Sequence, residues 1–234
     1  MSLSNIKIAV PSWVIPGTYL ENLRFLEDKK DISAVELLFF VYDEGVKDEL
    51  AAELAGIAAY KDRFVFSAHL PDEILPEHTC LVETLAPLVR HFIVHPSRNG
   101  GAIAEATLLA DWSRRFGREK FVIENTKIQW FNDLIALLPP DTGICMDTGH
   151  LLLEGILPAA FAKTYGSRLR EIHLHDVDTA ADDGRLPDHR SLKSESSWLS
   201  DIRPFLAQFN GFINLEVFSW EEIQKSLEVL HGIY

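Results

Sequence analysis

Residues 121–150 read FVIENTKIQWFNDLIALLPPDTGICMDTGH. Two short apolar runs, Phe121 to Asn125 (FVIEN) and Gly143 to Asp147 (GICMD), flank a longer helix-like segment, which makes one strand-helix-strand unit. The same alternation extends outward in both directions. Before this unit come Ile6 to Pro11 (IKIAVP), Ala34 to Phe40 (AVELLFF), Phe64 to Leu70 (FVFSAHL) and Phe92 to Pro96 (FIVHP). After it come Ile172 to His175 (IHLH) and Phe212 to Val217 (FINLEV). Segments between the runs carry helical apolar spacing, such as Leu50, Leu54, Ile57 and Ala58, or Leu108, Leu109 and Trp112. Repeated strand-then-helix order means parallel strands joined by right-handed crossovers.

Eight units in 234 residues average about 29 residues, close to the ~30 of one strand-helix unit. That count predicts a single α/β domain over residues 1–234, a closed (β/α)8 TIM barrel. An open doubly wound sheet would carry a glycine-rich phosphate loop after its first strand. Here that turn reads Pro11-Ser12-Trp13-Val14-Ile15-Pro16-Gly17, without GxGxxG. The one long irregular segment, Val177 to Ser197, reads as an extended loop after the seventh strand. Met1 to Ser4 are set aside as a leader.

Composition narrows the function. With 22 basic and 35 acidic residues the formal charge is −13, which disfavours a protein that holds nucleic acid by its phosphates. A local cationic spot or a bound metal can still attract an anion. Cys80 and Cys145 form no CxxC, so neither a disulfide scaffold nor a thiolate zinc site is signalled and a cytoplasmic setting is expected. No apolar stretch approaches the ~20 residues of a membrane span.

A barrel builds its active site where its strands end. There this sequence is polar: Glu36 lies within the second run, and His69, His95, Glu124, Asp147, His173 with His175, and Glu216 fall at or near the ends of the third to eighth. One such residue would read as a hydrogen-bonded structural group. Convergence changes the reading, because Glu124, Asp147 and Glu216 would repel one another in a small cavity without a cation. Carboxylates plus imidazole suit Zn2+, Mn2+, Co2+ or Mg2+. The expected ligands are Glu124, Asp147, His173 and Glu216. His173 and His175 lie two apart on one strand face, so spacing alone leaves open which of them binds. His150 would sit beside the metal, to bond a substrate or hold a second ion.

The fragments Ala68-His69-Leu70-Pro71, Val94-His95-Pro96, Ile123-Glu124-Asn125, Met146-Asp147-Thr148-Gly149-His150, His173-Leu174-His175-Asp176 and Leu215-Glu216 together resemble the AP-endonuclease and xylose-isomerase-like TIM barrels. That group includes sugar isomerases, sugar 3-epimerases and endonuclease IV. The resemblance spans nearly the whole chain and implies His173 rather than His175 as the ligand. It also implies two chemistries. In the first, a metal-dependent isomerase or epimerase acts on a small sugar or sugar-like polyol, with Glu124 and Glu216 exchanging a proton at carbon. In the second, a small-molecule phosphodiesterase holds further ions through His69, His95 and His150, with His175 and His189 as additional candidates. Many relatives carry Asp-x-His followed by Leu-Gly-x-Gly after the seventh strand. This chain instead has Asp188-His189-Arg190-Ser191-Leu192, which leaves a third-metal pair in question and is similar to a branch of cobamide-remodelling phosphodiesterases.

Glu36, Trp13, Arg98 and Lys127 complete the substrate-side candidates. Glu36 would touch substrate or hydrogen-bond a ligand, Trp13 would wall a sugar ring, and Arg98 and Lys127 would meet an anionic group. His78, His91 and His231 carry no expected chemistry, and Cys145 reads as core. A non-catalytic ligand-binding barrel is the third reading, disfavoured because no expected ligand is missing. The first reading is an isomerase or epimerase with a small-molecule substrate and no nucleic-acid or membrane partner, leaving a homo-oligomeric state open.

Overall fold

A computed structural model describes residues 7–98, 101–180 and 187–233. Eight parallel strands close into one barrel in sequence order. They are β1 (Lys7–Pro11), β2 (Ala34–Leu38), β3 (Val65–His69), β4 (Val89–Val94), β5 (Phe121–Glu124), β6 (Gly143–Asp147), β7 (Leu169–His173) and β8 (Phe212–Asn214). The helices packed outside are α1 (Tyr19–Leu26), α2 (Glu44–Ala59), α3 (Thr79–Leu85), α4 (Ala102–Phe116), α5 (Ile128–Ile135), α6 (Thr148–Leu153), α7 (Pro158–Tyr165), α8 (Ser197–Leu206) and α9 (Trp220–Ile233). The expected (β/α)8 barrel is therefore the fold. Among the described residues no helix is long and apolar enough to cross a membrane. Met1 to Ser4, Ile6, and residues 181–186 of the expected loop lie outside the described residues.

Strand limits depart from the apolar runs in ways that matter for the site. β4 begins at Val89, three residues before the run, because Arg90 and His91 interrupt its apolar signal. β7 ends at His173 and β8 at Asn214, so His95, His175 and Glu216 stand in the turns just past their strands.

The pleat places alternate residues inside the barrel. Its interior holds two small apolar clusters, Ala9 with Ala34 and Phe212, and Ile93 with Val122 and Cys145. The main apolar core lies between strands and helices, with Trp112, Leu23, Leu26 and Ile57 buried. The remaining interior is polar and tiered. His91 bonds Glu171 at 2.5 Å, and the Ser67 hydroxyl donates to Glu171 at 3.4 Å. One tier higher, Glu36 accepts from Asn214 Nδ2 at 3.0 Å and meets His173 Nε2 at 3.2 Å. His91, to which the sequence assigns no chemistry, is part of this interior packing.

In the first turn of α4, Glu105 is buried and accepts the Ser97 amide N–H at 2.8 Å, while its Oε1 has no partner. Burial pushes its pKa up from 4.5 to about 7, against the Ser97 hydrogen bond, which lowers it. The folded chain therefore holds this proton more tightly than the unfolded chain does. The stabilisation is complete below pH 4.5 and fades as pH rises to about 7. Glu105→Gln keeps the neutral shape, so its stability relative to wild type should be greater at pH 8 than at pH 5 by about 1 to 3 kcal/mol. Urea unfolding at the two pH values measures this; equal differences would assign Glu105 no such role.

Candidate metal centre

The strand ends bring the expected residues together. Glu124 closes β5, and its neighbour Asn125 bonds the next strand as backbone would: Asn125 Nδ2 donates to the Asp147 carbonyl at 3.0 Å and Asn125 Oδ1 accepts the Asp147 amide at 2.9 Å. This fixes Asp147 at the end of β6. Asp147 also caps α6, accepting the His150 amide at 2.6 Å. Glu124, Asp147 and Glu216 are all buried.

Glu124 is the hub. Its Oε2 faces His69 Nε2 at 3.4 Å, His95 Nε2 at 3.3 Å and His173 Nδ1 at 3.3 Å, and its Oε1 faces His150 Nδ1 at 3.3 Å. His173 Nδ1 also lies 3.1 Å from Glu216 Oε2 and 3.9 Å from Asp147 Oδ2. Outer contacts orient three of these rings. His69 Nδ1 donates to the Leu70 carbonyl at 2.8 Å, His173 Nε2 faces Glu36 at 3.2 Å, and His95 Nδ1 faces Asp72 at 3.2 Å. Each arrangement turns the other ring nitrogen towards the carboxylates, as second partners of metal-binding histidines do.

The inward atoms have no hydrogen-bond partner: His69 Nε2, His150 Nδ1, His173 Nδ1, Glu124 Oε2 and Glu216 Oε2 are buried and unsatisfied. Buried polar atoms left this way are costly. Tetrahedral ligands about 2.0–2.2 Å from an ion stand roughly 3.3–3.5 Å apart, close to the spacings here. His69, His95 and Glu124 form a compact group able to hold a cation, and His173 Nδ1 stands beside Glu216 as well as Glu124. The residues fit divalent metal. Glu36, expected to touch substrate or to bond a ligand, takes the second role.

His175 differs from its neighbour. The His189 amide donates to His175 Nδ1 at 3.0 Å, which leaves the proton on Nε2 to donate to Asp147 Oδ2 at 2.9 Å. The ring orients Asp147 and in this arrangement has no lone pair left for a cation, whereas His173 Nδ1 is free of hydrogen bonds, so His173 is the ligand candidate of the pair. In the uncharged ring the Asp176 carbonyl, 3.3 Å from Nδ1, is then only a contact.

Electrostatics oppose burial throughout. Burial raises carboxylates and lowers imidazoles, yet Glu124 is held well below the usual carboxylate range by His95 and His173, and Asp147 is lowered by His150 and His175. Reciprocally, burial pulls His95 and His150 down, but Glu124 lifts His95 to about 9 and Asp147 lifts His150 to about 10. Protons or a metal must hold these groups together.

The loop after β7 completes the mouth through a bridge between Asp176 and Arg190. His189 adopts φ 51°, a left-handed conformation uncommon for a residue with a side chain. Its ring stacks on His175 at 4.4 Å, and Nδ1 lies 3.1 Å from the Glu216 carbonyl. His150, Asp188 and His189 make a further compact group, although Asp188 and His189 are adjacent. The positive φ explains how both can reach His150.

Two cavities open beside this cluster. One of about 220 Å³ is lined by Asp72, His95, Arg98, Lys127, His150 and Asp188. Arg98 pairs with Asp72 at 3.2 Å and Lys127 with Glu154 at 3.7 Å, so both expected cations border the site while already partnered. The other, about 470 Å³, is apolar and lined by Trp13, Tyr19, Phe40, Val41 and Phe218. Trp13 is 52% exposed there. Phe40 meets His69 edge-on at 4.5 Å, and Phe218 meets His189 at 4.9 Å. Sequence reasoning missed Asp72, Phe40 and Phe218. Of these, Asp72 alone adjoins a motif, following Ala68-His69-Leu70-Pro71 directly.

No protein-family model matches the chain, and no curated protein matches it. Solved structures do. One described as IOLI protein with a binding zinc atom is 15% identical, covers 97% of this chain and 98% of its own, and has a TM-score of 0.73. A D-tagatose 3-epimerase-like protein is 15% identical over 97% of each chain at 0.69. Endonuclease IV from Thermus thermophilus is 15% identical over 97% of this chain and 98% of its own, at 0.58. The chain shares the (β/α)8-barrel fold of these structures.

Elemental analysis of the purified protein should find divalent metal, with Glu124→Gln lowering its content most because that carboxylate touches four imidazoles. Glu216→Gln should lower it less. Content unchanged in both variants would overturn the ligand assignment.

Proposed function

We propose that the chain is a divalent-metal-dependent enzyme that hydrolyses a small phosphoester. The carrying observation is the use of both oxygens of Glu124, with His69, His95 and His173 on Oε2 and His150 on Oε1, while His173 also meets Glu216. This is a donor set for more than one ion. When bound, such ions would supply charge to activate water and to neutralise phosphoryl oxygens.

The chain's own residues divide the remaining work. Asp72 orients His95 and Glu36 orients His173. Arg98 and Lys127 border the smaller cavity, where an anionic substrate group would sit. Trp13, Phe40 and Phe218 offer an apolar wall that excludes water on the other side.

An isomerase or epimerase acting on a sugar-like polyol is the second reading. It is supported by neighbours described as D-tagatose 3-epimerase-like and as L-ribulose 3-epimerase. Glu124 and Glu216 both approach His173 Nδ1, which places two carboxylates around one point for proton exchange.

Ion stoichiometry and two assays separate the readings. Two or three ions per chain, with metal-dependent cleavage of bis(p-nitrophenyl) phosphate reduced at least ~100-fold in His95→Ala, are expected for the hydrolase. One ion per chain, no cleavage, and metal-dependent uptake of solvent deuterium into a ketose would overturn it in favour of the epimerase.

A further inference from the structure

The opposite end of the barrel carries a further cavity of about 710 Å³, within the range of ligand sites. It opens where the strands begin. Lys7 is the first residue of β1, Arg90 the second of β4 and Arg170 the second of β7. All three line the cavity and are exposed. No Asp or Glu lines it, in a chain with 35 acidic and 22 basic residues. Among the described residues none of the three is paired with a carboxylate. Arg170 Nη1 donates to the Ser167 and Leu169 carbonyls at 3.1 and 3.0 Å, which steadies the guanidinium while leaving its other edge available. Like charges gathered without a counter-ion repel, and an anion between them removes that cost.

The rest of the lining includes aromatic and amide side chains. Phe205 and Phe209 stand 5.7 Å apart at 31°, and Lys7 Nζ lies 5.5 Å from the Phe212 ring. Gln208 and Asn210 add donors and acceptors able to meet a heterocycle's edge. Guanidinium groups suit phosphate oxygens, and aromatic rings suit a planar base. We propose that this end of the barrel binds a nucleoside phosphate, with Arg90, Arg170 and Lys7 on the phosphates and the partly exposed Phe205 ring, backed by the buried Phe209, on the base. The strands are 3 to 6 residues long, so at ~3.3 Å per residue this site lies roughly 10–20 Å from the metal centre. Its ligand is distinct from the substrate, and the buried His91–Glu171 pair forms part of the partition between them.

Calorimetric titration of the full chain with ADP should show one site per chain. Arg90→Glu and Arg170→Glu should each weaken binding at least tenfold, adenosine should bind at least tenfold less tightly than ADP, and Glu124→Gln should match wild type within twofold. In wild-type protein, independently of any variant, ADP should slow amide hydrogen exchange at residues 205–212. No binding at millimolar ADP, equal binding in both arginine variants, or protection confined to residues around Glu124 would overturn the proposal. Inorganic phosphate competing as well as ADP would overturn the aromatic half of it. A loss in Glu124→Gln equal to that in the arginine variants would place ADP at the metal centre instead. The outcome is independent of which reaction that centre performs.

Discussion

Three carboxylates, Glu124, Asp147 and Glu216, are buried together at one end of a barrel, and the arrangement around them follows from that constraint. Unpaired, each would carry several kcal/mol of desolvation cost. The chain surrounds them with imidazoles, which can hold protons when the site is empty of metal and can turn the same nitrogens to a cation when it is filled. Orientation is therefore as demanding as composition. Leu70, Asp72 and Glu36 each take the outer nitrogen of one ring, so the inner nitrogen is presented without a search over rotamers. Asn125 does the corresponding work for the main chain at Asp147.

The parallel barrel makes this crowding achievable because its pleat stacks alternate side chains into tiers. Glu171 and His173 lie two apart on β7, and Ser67 and His69 two apart on β3. The lower member of each pair joins the Glu171–His91–Ser67 tier, and the upper member faces the metal centre. Glu36 with Asn214 lies between, supporting His173 from below. A polar interior of this kind gives up apolar packing inside the barrel, and the core between strands and helices carries most of the burial.

Much of this was legible because β runs and their interruptions obey a period of two. Eight runs gave eight strands, and Glu124, Asp147 and His173 stand at strand ends as expected. What escaped depends on contacts distant in sequence or on broken patterns. Arg90 and His91 hid the start of β4. The choice between His173 and His175 rests on the amide of His189, 14 residues away, which no spacing rule can supply. Adjacent Asp188 and His189 looked unsuited to a common site until His189 took a positive φ. Phe40 and Phe218 read as ordinary apolar residues, since only the closed barrel places them against the site histidines.

Charge gives the strongest physical preference between the two chemistries. Glu124, Asp147 and Glu216 carry −3 when the imidazoles are neutral ligands; one divalent ion leaves −1, while two leave +1. A phosphodiester carries a single negative charge, which a centre at −1 repels and a centre at +1 neutralises, whereas an uncharged sugar makes no such demand. The number of imidazoles aimed inward is what the hydrolase proposal draws on: His69, His95, His150 and His173 all face Glu124. His69 and His173 are fully buried and His95 and His150 partly so, and a centre of more than one ion would make use of all four rings. The net charge of −13 thus says little about the mouth itself, where cations bound among these carboxylates would reverse the local sign.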